Sequence, residues 1–392
     1  MKIKFSWSLL GVITVLVAVF LLFPEARQAL AAAPFLGLAF GTIDVDLYNP
    51  ITMLEPIESR KPPKTYFKDT YFSGQPDRTF DTKTVLVDIV RGGEEMEVFC
   101  APDKDGIPVE REGYKTNEVQ PAYMKPVRPL TFKDLLPRMP GESLDASSAQ
   151  GRLLAKASRM LGQDLKDLDD RIIRREEYMC SQLLHEGKIH VVGEGIDHWI
   201  DFLMPAENIG TLAADALFTN KDSDPWSTLF AICRGLSIVG DRTPARLTLG
   251  GNVIEPFLNN PQVKEHLNTE RNINLGSIKP EDLAEGVTYF GELRIYGYTL
   301  QVYGYDYNCK IDGVRTYMMP LDRILVGPRT TSNYMSYGAI QNLKALALNQ
   351  VENRRFPLVW EKDNGSARFL QLETAPLPNH REANNFASFK VI

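Results

Sequence analysis

An α+β fold is predicted by three features of the sequence: one long amphipathic helix near residue 175, hairpins marked by turn glycines, and a strand-rich second half. The helix is written in LDDRIIRREEYMCSQLLHEGKIHVVGEG, residues 168–195. Leu165, Leu168, Ile172, Met179 and Leu183 recur at steps of three, four or seven, with Ile173, Cys180 and Leu184 beside them. That is one apolar stripe along a helix. Asp164, Asp167, Asp169 and Asp170 crowd one end, where acids suit the positive pole. Arg171, Arg174, Arg175, Glu176 and Glu177 fall between the stripes, with the run Arg171–Arg175 able to pair with Glu176–Glu177 at helical spacing. Gly187 supplies the stop, because glycine enters the left-handed cap conformation without steric penalty. Residues 188–192 then read as a strand, Gly193-Glu194-Gly195 as a turn, and 196–202 as the returning strand.

Upstream, residues 34–80 read as an extended arm. Pro50, Pro56, Pro62, Pro63 and Pro76 break any long helix, and Tyr66, Phe67, Tyr71 and Phe72 offer anchors for packing on another surface. TKTVLVDIVRGG alternates as a strand, and a charged, turn-rich excursion follows to about residue 130. Such a two-stranded excursion has no apolar run of its own and needs a partner surface. A short helical piece precedes Pro137, Pro140 and Gly141, and the long helix follows.

Downstream, Asp224-Pro225 opens a helix reaching residue 238, proline being well placed in a first turn. Residues 246–249 form a short strand, and 252–258 and 262–267 two short helices divided by Asn259-Asn260-Pro261. VTYFGELRIYGYTLQVYGYDYNC and YMMPLDRILVG are strands, and RFPLVWEKDNGSARFLQLETAP is a hairpin about Asp363-Asn364-Gly365. Tyr296, Tyr298, Tyr303, Tyr305 and Tyr307 alternate as a sheet face would, without the basic groove a base-stacking platform needs.

The crowding of Cys180, His185, Glu186 and His190 invites a chemical reading, which spacing rejects. A zinc pair wants two ligands one turn apart, whereas His185 and His190 are five apart with a helix-ending glycine between them. Cys180 and His185 lie about 500° apart around a helix. A buried thiol and solvated histidines are expected. No phosphate loop, calcium loop or nucleophile turn is found, so neither catalytic residues nor a cofactor nor a metal is expected. Among 392 residues the net charge is −6, which argues against a general nucleic-acid binder. The four cysteines, Cys100, Cys180, Cys233 and Cys309, show no CxxC pairing and read as reduced thiols.

Residues 1–40 stand apart. Lys2 and Lys4 precede an uncharged run to Phe23, and small residues lie near Ala29 and Ala31, as in an export signal. The run is also long enough to span a bilayer. Three explanations stand: a true signal or anchor, making the chain an exported or membrane-anchored binding protein; translation starting downstream, Met53 being the next methionine; or a genuine extension. The second is favoured. The mature chain is then expected to lack Met1 through about Ala33, which mass spectrometry of the native protein decides.

The order of parts resembles a tailed-phage major capsid protein, of the lambda-type major capsid protein E family. The resemblance is carried by EGYKTNEVQPAYMKP (112–126), DDRIIRREEYMCSQLLHEGKIHVVGEG (169–195), FLNNPQVKEHLNTERN (257–272), GELRIYGYTLQVYGYDY (291–307), MMPLDRILVGP (318–328) with SYGAIQN (336–342), and the closing APLPNHREANNFASFKVI. It implies the Hong Kong 97-type capsid fold: an N-terminal arm (41–80), an extended loop lying on a neighbour (81–130), a peripheral domain with its spine helix (131–222), an axial domain (223–345), and C-terminal strands completing both (346–392). It implies self-assembly into hexamers and pentamers of an icosahedral phage or prophage head. Scaffold, portal and decoration proteins are the expected further partners. Packaged double-stranded DNA would be held without sequence-specific contacts, and no membrane is expected in the mature particle. The expected location is the virion, with the host cytoplasm during assembly. Arg111, Tyr114, Lys115, Tyr123 and Lys125 of the loop, and Arg174, Arg175, Glu176 and Glu177 of the spine, are the expected assembly contacts. The lysine–asparagine crosslink of some capsids of this fold is not expected in the lambda-like group.

Overall fold

The structure, a computed structural model, describes residues 49–50, 53–54, 63–90, 114–135, 149–193, 195–220, 222–240, 242–263, 283–311 and 313–392. In chain order the elements are α1 (Phe67–Tyr71), β1 (Arg78–Thr79), β2 (Val85–Val90), β3 (Tyr114–Val119), β4 (Val127–Thr131), α2 (Phe132–Leu135) and α3 (Ala149–Glu186). Then come β5 (Lys188–Gly193), β6 (Ile196–Asp201), β7 (Ile209–Thr211), α4 (Pro225–Val239), β8 (Pro244–Gly250), α5 (Gly251–Asn259), β9 (Val287–Ile295) and β10 (Tyr298–Tyr305). The chain closes with β11 (Asn308–Ile311), β12 (Val314–Tyr317), β13 (Arg323–Pro328), β14 (Tyr334–Tyr337), α6 (Leu343–Ala347), β15 (Phe356–Glu361), β16 (Ala367–Glu373), β17 (Pro376–Asn379) and β18 (Ala387–Lys390).

The spine is α3, whose 38 residues span about 57 Å at helical rise. Its stripe is as the periodicity predicts: Leu165, Leu168, Ile172, Ile173, Met179, Cys180, Leu183 and Leu184 are all buried. Gly187 ends it at φ 68°, its N–H bonded to the Leu183 carbonyl, and a Cβ there would meet Met204 Cβ at 2.7 Å. The β5–β6 hairpin follows in the expected place. The aspartates, however, do not sit at the positive pole, because the helix begins at Ala149, some four turns earlier. Asp164 and Asp167 instead receive Arg128 Nη1, at 2.7 and 2.9 Å.

The largest sheet has the order β7-β18-β13-β8-β10-β9, with β8–β10 and β7–β18 parallel and the rest antiparallel. Helices α4 and α5 supply apolar residues to the core on this sheet, where Trp226, Leu229, Cys233, Leu236, Val253 and Phe257 meet Leu247, Leu249, Leu293, Val302 and Ile324. As expected, Asp224 caps α4: its Oδ1 accepts from the N–H groups of Trp226 and Ser227, both at 3.0 Å, with Pro225 in the first turn. A three-stranded sheet β15-β16-β4 contains the expected C-terminal hairpin, turned at Gly365 with φ 66°. A second three-stranded sheet, β1-β14-β17, ties the arm to the end of the chain. The helix expected over 262–267 lies mostly outside the described residues, as do residues 1–48.

Strands β2 and β3 pair antiparallel with each other, Val85 opposite Val119 and Val90 opposite Tyr114, and among the described residues they join no larger sheet. Residues 91–113, between them, lie outside the described residues. The tyrosine alternation is a sheet face in part. Tyr303 and Tyr305 are buried against the arm, whereas Tyr296 is exposed at the β9–β10 turn with φ 41°.

Candidate functional site: the clasp between arm and spine

The arm anchors Tyr66, Phe67, Tyr71 and Phe72 are buried, and they pack within their own chain rather than on a separate surface. Phe67 lies edge-on to Tyr305 and to the imidazole of His185, and Tyr66 Oη shares a 2.8 Å hydrogen bond with Thr248 Oγ1. α1 begins at Phe67 without a side-chain cap of its own, and the backbone N–H groups of a first turn have no helical acceptor. Glu177 of the spine fills that role. Its Oε1 accepts from Tyr66 N at 3.0 Å and Phe67 N at 2.8 Å, and its Oε2 accepts from Lys68 N at 2.9 Å. Tyr305 Oη donates to Oε1 at 3.3 Å. Burial pushes the Glu177 carboxyl up, and the three N–H groups oppose that without reversing it.

Glu176, one residue earlier, is also buried but is held by charges. Lys68 Nζ lies 2.6 Å from Oε2, and Arg355 Nη2 lies 2.8 Å from Oε1. Arg355 also reaches Asp169 Oδ1 through Nε at 3.0 Å and Thr374 Oγ1 through Nη1 at 2.9 Å. Arg354 spans Asp77 at 3.6 Å and Glu176 at 3.9 Å, and both arginines lie over the Tyr337 ring. Burial raises the Glu176 carboxyl, but Arg355, Lys68 and Arg354 together outweigh it and hold it at about 2. Three carboxylates and three cations thus join the arm, the spine, β14 and the approach to β15 around the buried Glu176, with Asp77 and Arg354 on the exposed side of the cluster.

This arrangement corrects several expectations. Glu176 and Glu177 are not surface contacts: both are buried and wholly engaged within the chain, and neither pairs with Arg171, Arg174 or Arg175. Tyr123 is half-buried, donating to Glu373 Oε2 at 2.6 Å and accepting from Gln341 N at 3.0 Å, with the rest of its ring open to contact. His185 is not solvated. It is fully buried with Nδ1 2.9 Å from Ser388 Oγ, and burial pulls its pKa down to about 3, so the ring is neutral. Cys180 is the buried thiol expected, its Sγ 3.8 Å from Met335 Sδ, and burial pushes its pKa well up. His190 stacks on Trp199 and pairs with Asp197 at 2.8 Å.

Of the remaining expected contacts, Arg174 is exposed and its Nε donates to the Asp170 carbonyl at 3.0 Å, and Arg175 lies over the Tyr178 ring. Lys125 lies over the Tyr123 ring. Tyr114 and Lys115 stand on β3 opposite Val90 and Ile89, and Arg111 lies outside the described residues. The sequence reading missed Lys68, Asp77, Arg354 and Arg355. Its available signal was a lysine embedded in the aromatic run TYFKDTYF and an Arg-Arg pair directly before an apolar strand. Large apolar side chains stay exposed on the β5–β6 hairpin (Val192, Ile196, Trp199), at the end of α4 (Ile238, Val239) and on α6 (Leu343, Leu346). Among the described residues, no group of His, Cys, Asp or Glu could hold a metal, and no helix is long and apolar enough to cross a membrane.

Comparison with known proteins agrees with this architecture. A P21 prophage-derived major head protein of Escherichia coli O6:H1 (strain CFT073) is 25% identical over 312 residues, covering 76% of this chain and 86% of that protein. The major capsid protein of Enterobacteria phage P21 matches with the same identity and coverage. A crystal structure of the putative capsid protein of an E. coli CFT073 prophage superposes with a TM-score of 0.66 at 18% identity, covering 88% of this chain and 99% of that one. The fold is that of Hong Kong 97-type capsid proteins. With the model of phage major capsid protein E matching residues 51–391, this chain belongs to the phage major capsid protein E family.

Proposed function

We propose that the chain works without catalysis, as the repeated subunit of an icosahedral phage head built from hexamers and pentamers of itself. The observation carrying the assembly reading is the β2–β3 ribbon, which joins no larger sheet among the described residues. A two-stranded ribbon is marginal alone; its base packs on this chain's own core through Val85 and Val119, and the partner surface of the remainder is a neighbouring copy. In this reading residues 41–80 act as the arm, 81–130 as the extended loop, 131–222 as the peripheral domain, 223–345 as the axial domain, and 346–392 as strands completing both. Tyr114, Lys115, Tyr123 and Arg111 on the loop, with Lys125, Arg174 and Arg175, remain the proposed polar contacts. The exposed apolar residues of the β5–β6 hairpin, α4 and α6 are the surfaces that assembly would cover. The clasp sets the arm's course, so the contacts made by the preceding residues are directed from Lys68 and Glu177. Scaffold, portal and decoration proteins are the proposed further partners, in the host cytoplasm before the virion is complete. Net charge −6 suits a shell that encloses DNA without gripping it.

Purified protein is expected to sediment as pentamers, hexamers or shells, with closed particles visible by electron microscopy. A compact monomer at every concentration and salt would refute the assembly reading.

A further inference from the structure

A cavity of about 500 Å³ lies where the arm crosses the large sheet. Its arm side is formed by residues from Lys64 to Gly74, and its other walls include Arg246 of β8, Tyr303 of β10 and residues 329–331 after β13. These walls are held close. Thr331 Oγ1 donates to the Tyr71 carbonyl at 2.6 Å, and a Cβ at Gly74 would stand 1.7 Å from the Thr331 carbonyl oxygen.

The charge in this cavity is unbalanced. Arg246 sits mid-sheet, opposite Gln301 on β10 and Gly327 on β13. Its Nε and Nη1 are closed off from solvent and have no hydrogen-bond partner. Its guanidinium lies 5.9 Å from the centre of the Tyr71 ring, which offers only a weak electrostatic partner. Arg329 also lines the cavity, and among the described residues neither arginine is in an ion pair. Burial raises the Tyr303 phenol, and Arg246 and Arg329 both oppose that, so both cations act on the same wall. Among the lining residues the one carboxylate, Asp69, already accepts from Thr65 N at 2.8 Å through Oδ2. A half-buried guanidinium whose Nε and Nη1 are closed off without a partner is unfavourable, and two planar forks suit the oxygens of one anion.

We propose that this cavity is an oxyanion site, in which Arg246 and Arg329 hold a carboxylate or phosphate group beneath the arm. The anion bridges sheet and arm and so favours the docked arm. Its oxygens come either from a free ion or from an acidic side chain of a second copy.

The test is the melting temperature of the full chain as unassembled subunits, titrated with inorganic phosphate and with acetate against sodium chloride at matched ionic strength. The expected result is a saturable rise of about 2–6 °C with at least one of the two anions. Arg246→Gln is expected to abolish it. Arg329→Gln, at an exposed position where folding is not at risk, is expected to weaken the affinity at least fivefold. Phosphate bound by subunits but refused by assembled particles assigns the oxygens to a second copy. Phosphate bound by both assigns them to a free ion. An equal rise in the wild type and both variants, or none beyond the chloride control, overturns the site. Because the reading is made on unassembled subunits, that failure would leave the shell reading untouched.

Discussion

Glu176→Gln is expected to destabilise the protein by about 3–5 kcal/mol at neutral pH and by almost nothing near pH 2. The variant keeps the shape of the side chain but removes the charge that Lys68 and Arg355 face, leaving two cations buried against an amide. Breaking one side of a buried ion pair is costly because the survivor keeps its desolvation penalty. The pH dependence follows from the direction of the shift. The Glu176 carboxyl is depressed from its ordinary 4.5 to about 2, so its contribution is fully present above 4.5 and disappears as pH falls through 2. A depression of that size corresponds to roughly 3 kcal/mol. Below it, the wild type carries a neutral carboxyl and resembles the amide variant. Urea denaturation of both proteins from pH 7 to pH 2 should therefore show two stability curves converging. A gap that stays constant with pH would mean that Glu176 acts through packing alone.

The parts of this fold that were legible in the sequence are those whose chemistry is local. Gly187, Asp224-Pro225 and Asp363-Asn364-Gly365 each act on a backbone within a few residues, and the helix end, the helix start and the hairpin are where they put them. The stripe of α3 was legible because burial on a helix has a period. What failed was partner identity. Arg174 stands three residues before Glu177, at helical spacing, yet the true partners of the two glutamates stand at Tyr66–Lys68 and at Arg355, more than a hundred residues away in each direction. A carboxylate on the boundary of a stripe reads the same whether it faces water or a buried backbone turn. His185 failed for the same reason: it follows Leu184 onto a buried face, and imidazole is apolar enough to be accommodated there in its neutral form. The parallel pairing of β1 with β14 and of β8 with β10 left no periodic mark at all, since register between distant strands is set by tertiary packing.

At Glu177 the expectation reverses in sign, and this separates charge from geometry in arm docking. Burial raises this carboxyl, so its contribution is full below the ordinary 4.5 and is lost as pH rises through the folded value. The arm is therefore held by acceptor oxygens rather than by net charge. Glu177→Gln retains one oxygen for Tyr66 N and Phe67 N and loses only the acceptor of Lys68 N, an expected cost of about 1–2 kcal/mol. Glu177→Leu is of similar size but accepts nothing. It strands three buried N–H groups and the Tyr305 hydroxyl, and at about 1–3 kcal/mol for each unsatisfied group the nominal loss exceeds 4 kcal/mol. The chain has a cheaper escape than unfolding, because α1 can lift and return its N–H groups to water. Lifting exposes Tyr66, Phe67, Tyr71 and Phe72, and that loss of burial sets a ceiling on what the substitution can cost. The expected signature of Glu177→Leu is thus local. Amide exchange at Phe67 and Lys68 should accelerate by about a thousandfold, while α4 and β8 keep their protection. Assembly should weaken with it, since the arm has lost its fixed course. Protection that falls uniformly across the chain would show instead that arm and core unfold as one unit.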